Sequence, residues 1–77
     1  MAKDIRWDYV MLADFRRLAC LTDDEEKILA AWAAGWSNVK MADKFNMADR
    51  TVSRHLDAIR KKYDAVQIYS PLLPARK

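Results

Sequence analysis

Glycine occurs once in this chain, at position 35, and proline not before position 71. With no repeat, low-complexity tract or Gly/Ser linker, the chain reads as helices separated by very short joints. Four segments can be marked. From Asp4 to Ala19, the residues Ile5, Trp7, Tyr9, Met11, Leu12, Phe15, Leu18 and Ala19 wrap a wide apolar arc at helical spacing, which a period-2 strand does not explain. The second segment opens with Thr22-Asp23-Asp24-Glu25, a capping-box pattern whose acids suit the positive end of a helix dipole. Ile28, Leu29 and Trp32 make its apolar face, and Gly35 follows Ala34 where a left-handed C-terminal cap belongs.

Ser37 can cap a third, short helix that runs to about Lys44, with Val39, Met41, Ala42 and Phe45 as its apolar residues. Asn46, which tolerates positive φ, suits the bend that ends it. The fourth helix is expected from Ala48 or Asp49 to Tyr63, where Val52, Leu56, Ile59 and Tyr63 recur at i, i+4, i+7 and i+11 as a narrow core stripe. Residues 65 to 77, AVQIYSPLLPARK, hold Pro71 and Pro74 and have room for a turn or two of helix before an extended tail.

At 77 residues this is one domain with one small core, and 52% apolar against 32% charged residues favours folding over disorder. The fold class is all-α: a small helical bundle containing a helix-turn-helix, with an extra N-terminal helix at about 4 to 19, a core at about 21 to 64 and a short Pro-containing tail. A single cysteine, Cys20, and a single histidine, His55, exclude an internal disulfide and a Cys/His zinc set and fit a reducing, cytoplasmic setting. Cys20 is expected to be a semi-buried small hydrophobe. The longest apolar run, Ile28 to Ala34, is far below the roughly 20 residues of a membrane span, and no signal peptide is visible. Neither a paired-carboxylate pocket nor a nucleophile with its base is present, so an enzyme is disfavoured and no cofactor is expected.

Charge is unevenly placed. Residues 1 to 35 hold five Lys/Arg and seven acids, a net −2, whereas residues 36 to 77 hold nine Lys/Arg and four acids, a net +5. The basic half faces any polyanion. It is also the half that carries a short helix, a three- or four-residue turn and a longer helix with a basic outer face, the arrangement that lays a helix in the DNA major groove. Opposite the core stripe of that longer helix lie Arg50, Arg54, Asp57 and Lys61. Arg54 can offer its planar fork to guanine O6 and N7. Arg50 near the helix start, Thr51 and the N–H groups at the two helix starts, Ser37 and Asp49, can meet phosphate, and Arg60, Lys61 and Lys62 form a far-end cluster for the DNA backbone.

From Leu21 to Tyr63 the sequence LTDDEEKILAAWAAGWSNVKMADKFNMADRTVSRHLDAIRKKY resembles the LuxR-type DNA-binding domain of bacterial response regulators and quorum-sensing regulators. The family's L-T-x-x-E start, V-L pair (Ile28-Leu29), A-x-G-x-S-N segment, I-A pair (Met41-Ala42), T-V-x-x-H-L and I-x-x-K-L ending keep register without a gap. The resemblance implies a scaffold helix from Ser37 to Lys44 and a recognition helix from Ala48 to Tyr63. It also implies base contacts from Ser53, Arg54 and Asp57. Ser37, Asn38, Lys40 and His55 complete the expected DNA-contacting set. The chain departs from the family pattern at Ala48, where a Ser or Thr cap is common and the cap can shift to Asp49. It departs again at Val39-Lys40 in place of K-E, at the acidic Asp57, and in lacking a dimer-forming helix after the recognition helix.

Several residues have competing readings. Asp57 can accept from cytosine N4 or pair within its helix with Arg54 or Lys61. Trp7, Trp32 and Trp36 can stack on single-stranded nucleic acid or pack in the core, and packing is the better account. The function expected is that of a sequence-specific double-stranded-DNA-binding transcriptional regulator. A helical protein–protein adaptor, phage-encoded or accessory, is the alternative from another class. The reading leaves room for a homodimer through the N-terminal helix, with Ile5, Tyr9 and Leu12 on one flank and Trp7, Met11 and Leu18 on the other. RNA polymerase or another regulator is a further partner it allows.

Overall fold

A computed structural model describes residues 5–74 and contains four helices: α1 (Tyr9–Leu18), α2 (Asp23–Ala33), α3 (Asn38–Lys44) and α4 (Asp49–Gln67). The expected start at Asp4 and the tail end at residues 75 to 77 lie outside the described residues. α4 is the spine, and α1, α2 and α3 all pack on it. The core stripe is as the periodicity requires: Val52, Leu56, Ile59 and Tyr63 are buried against Phe15, Ile28, Leu29 and Met41. Among the described residues no helix is long and apolar enough to cross a membrane, and no cluster of His, Cys, Asp or Glu could hold a metal ion.

The joints follow from capping chemistry. Thr22 Oγ1 accepts from the Glu25 N–H at 3.2 Å while Glu25 Oε1 accepts from the Thr22 N–H at 3.0 Å, a complete capping box. α2 ends with Gly35 at φ +90°, its N–H donating to the Trp32 carbonyl and the Trp36 N–H to the Ala31 carbonyl. α3 ends the same way, with Asn46 at φ +55°, its N–H donating to Asp43 and that of Met47 to Ala42. Both are paired left-handed terminations that satisfy the orphan carbonyls of the last turn.

Four expectations need correction. α1 begins at Tyr9, because the Asp8 carboxylate accepts from the Met11 N–H at 2.8 Å and caps the helix there. Ile5 and Trp7 therefore precede α1 and fold inward, with the Trp7 ring 5.2 Å from Phe15, 5.8 Å from Trp32 and 5.6 Å from Tyr63. α4 continues to Gln67, one turn past Tyr63, since no residue before Ser70-Pro71 stops it. The segment after it is not a free extended tail: Leu73 is buried, Gln67 Nε2 donates to the Leu73 carbonyl at 3.1 Å, the Tyr63 hydroxyl to the Pro74 carbonyl, and the Ser70 hydroxyl to Asp14. Cys20 has an exposed side chain rather than a semi-buried one.

Candidate nucleic-acid interface

The helix-turn-helix consists of α3, the turn from Phe45 to Ala48, and α4. Ser37 Oγ accepts from the Lys40 N–H at 3.1 Å and starts α3. The start of α4 is bare by comparison. Ala48 keeps the cap position with extended φ and ψ, has no side-chain acceptor, and the cap does not shift to Asp49. The first-turn N–H groups at Asp49 and Arg50 are thus left pointing out of the helix end.

Because Val52, Leu56, Ile59 and Tyr63 turn inward, the opposite face of α4 presents Arg50, Ser53, Arg54, Asp57 and Lys61, all exposed. Arg50, Arg54 and Lys61 make no ion pair with any described residue. Thr51 and His55 are half-buried on the flanks of this stripe. Ser37, Asn38 and Lys40 are exposed at the beginning of α3, although the Lys40 ammonium lies 4.5 Å over the Trp36 ring, which itself stacks on Phe45 at 5.7 Å. Trp32 and Trp36 are both partly buried against the core, so packing accounts for them.

Asp57 pairs with neither Arg54 nor Lys61. Its Oδ1 accepts from Arg60 Nη1 at 3.0 Å, and the Arg60 guanidinium also sits 5.0 Å over the Trp32 ring. The residue expected to serve the DNA backbone thus neutralises the one carboxylate in the middle of the stripe. The i, i+3 spacing made this partner available in the sequence; Trp32, which holds Arg60 on that side, comes from another helix. Lys44, exposed in the last turn of α3, is a further cation of the same half that the sequence reading left out.

Lys62 is placed apart from the stripe. Its Nζ lies 2.5 Å from Glu25 Oε1 and 2.6 Å from the Cys20 carbonyl oxygen, bridging the end of the α1–α2 connection to α4. Burial penalises the charge on Glu25, but hydrogen bonds from Lys62 and from the Thr22 N–H, with the nearby charges of Lys62 and His55, outweigh it and hold the carboxyl below its ordinary range. No sequence signal joins residues 37 positions apart, which is why Lys62 was grouped with its neighbours.

The resulting surface has cations free to meet phosphate along one edge, a guanidinium fork and a hydroxyl at its centre, and one partly neutralised carboxylate. It suits a polyanion that also displays hydrogen-bonding edges. The family model described as bacterial regulatory proteins, luxR family, matches residues 19–68, from the end of α1 to the end of α4. No curated protein and no solved structure matches the chain.

Proposed function

The chain belongs to the luxR family of bacterial regulatory proteins, and on that premise we propose that it is a sequence-specific double-stranded-DNA-binding protein, a small cytoplasmic transcriptional regulator rather than an enzyme. The observation that carries this reading is the outer stripe of α4, where Arg50, Ser53, Arg54, Asp57 and Lys61 stand exposed opposite a fully buried face. A helix about 28 Å long, at 1.5 Å per residue, enters the major groove with its N-terminal half, where Arg50, Ser53 and Arg54 lie. Arg54 reads guanine through two parallel hydrogen bonds, and Ser53 and Asp57 contact neighbouring base edges. Arg50, Thr51, Lys61 and the exposed start of α3, with Ser37, Asn38 and Lys40, set the register on the phosphates.

Selection of bound sequences from a pool of random duplexes tests the proposal. An enriched motif should emerge, and Arg54→Ala should weaken binding to that motif by about 1–3 kcal/mol while leaving random duplex nearly unaffected. No enrichment and no salt-sensitive retention of any duplex would favour the protein-adaptor alternative.

A further inference from the structure

Asp57 stands on the outer stripe of α4 between the cations Arg54 and Lys61, and a bare carboxylate at that place is repelled by a polyanion. Its Oδ1 accepts from Arg60 Nη1 at 3.0 Å, which occupies one oxygen of a group that can accept further donors. An exposed i, i+3 pair normally contributes little and fixes neither partner, since two flexible side chains must be ordered to form it. Here one partner is anchored. The Arg60 side chain is 27% exposed against 68% for Asp57, and its guanidinium lies 5.0 Å over the ring of Trp32, which comes from α2 and is packed against the core. A guanidinium stacked on a fixed indole has already lost the freedom that an exposed arginine keeps. A chain of contacts thus runs from the core through Trp32 and Arg60 to a carboxylate on the outer surface.

Resting on the reading of α4 as the helix that enters the major groove, we propose that Arg60 is a positioning residue for Asp57, and that the carboxylate it holds selects cytosine at one position of the bound duplex. In the major groove guanine displays only acceptors, N7 and O6, and thymine an acceptor and a methyl group. Adenine sets the acceptor N7 beside its N6 amino group, so cytosine alone offers an amino donor, at N4, with no acceptor on the same base. An ionised carboxylate has acceptors only. It is therefore matched to cytosine, is repelled by the N7 of either purine, and finds no donor on thymine. Arg60 serves this contact in two ways without touching a base. Its charge offsets the repulsion between the carboxylate and the flanking phosphates, and its bond to Oδ1 holds the carboxylate at one place on the helix while Oδ2 meets the N4 amino group.

Selection from random duplexes with the parent chain, Asp57→Ala, Arg60→Met and the double variant tests the proposal, with each variant confirmed folded by its circular-dichroism melt. Methionine keeps an apolar stem beside Trp32, and Arg60→Leu makes the same neutral change should Arg60→Met not fold. The parent motif should contain a position at which cytosine is preferred by about tenfold, the scale of one good base contact. Each single variant should lose that preference and keep those at the other positions. The double variant should lose no more than either one, because Arg60 acts through Asp57. A motif whose cytosines survive Asp57→Ala would overturn this proposal and leave the recognition-helix reading standing. So would an Arg60 variant that keeps the cytosine while weakening every duplex alike and flattening the log–log salt slope by about 0.9, since Arg60 would then be a phosphate contact. No motif from the parent chain would overturn the recognition-helix reading and this proposal together.

Discussion

Lys61 and Lys62 are adjacent on α4, yet they belong to two different regions of the molecule. Lys61 stands in the exposed stripe that begins at Arg50, without an ion-pair partner among the described residues. Lys62 opens the inner end of the helix, where it is held by Glu25 and the Cys20 carbonyl, followed by Tyr63 bonded to Pro74 and Gln67 bonded to Leu73. One step along a helix turns a side chain by about 100°, which here separates a cation available to a ligand from one consumed by the fold. The starts of α2 and α4 differ in the same sense. α2 closes its own N-terminus with a capping box and four acids, while α4 has only Ala48 and leaves its first N–H groups open. In both pairs, the region that stabilises the fold satisfies its polar groups internally, and the region that faces outward does not.

The largest effect that would sharpen this contrast is expected from Lys62→Met. The variant keeps an apolar stem but leaves the Glu25 carboxylate, 7% exposed, and the Cys20 carbonyl without their donor. Stability should fall by about 2 kcal/mol, measured as a shift in the urea midpoint, because an uncompensated buried carboxylate is costly while the partly exposed lysine softens the loss. Unchanged stability would break the contrast. The same pair sets an acid limit: a carboxyl whose folded-state pKa is depressed stabilises the protein above its unfolded value, about 4.3, and that contribution disappears as pH falls through the lower folded value. Acid titration of the unfolding free energy should show this loss in the parent protein and not in Lys62→Met.

A smaller effect is expected at the open helix start. Ala48→Ser supplies the missing acceptor and should stabilise the fold by about 1 kcal/mol, raising the melting temperature by about 4–8 °C. Its DNA affinity should stay level or fall slightly, since the new hydroxyl competes with phosphate for the same N–H groups. A melting temperature no higher than the parent's would mean that the start of α4 is already satisfied.

The elements whose information is local were legible in the sequence. Thr22 with Glu25, Gly35, Ser37, Asn46 and the Val52-Leu56-Ile59-Tyr63 stripe each act within a few residues, and each takes the conformation its chemistry demands. The start of α1 was written locally too, in Asp8, but the apolar arc through Ile5 and Trp7 has the same spacing whether those residues continue the helix or fold back over the core. The roles of Arg60, Lys62 and the segment from Ile68 to Pro74 depend on Trp32, Glu25 and Asp14, which only tertiary packing brings near. Periodicity identifies the face of α4 that leaves the core, but not which of its cations a distant carboxylate will claim.

The most direct test of the account is the salt dependence of duplex binding, followed by fluorescence anisotropy for the parent chain, Lys61→Ala and Lys62→Met, with all three confirmed folded. Loss of one phosphate contact flattens the log–log slope by about 0.9. The account predicts that flattening for Lys61→Ala and a parental slope for Lys62→Met. A parental slope for Lys61→Ala with a flattened one for Lys62→Met, or no salt-dependent binding in any of the three, would contradict the claim that the outer face of α4 meets DNA.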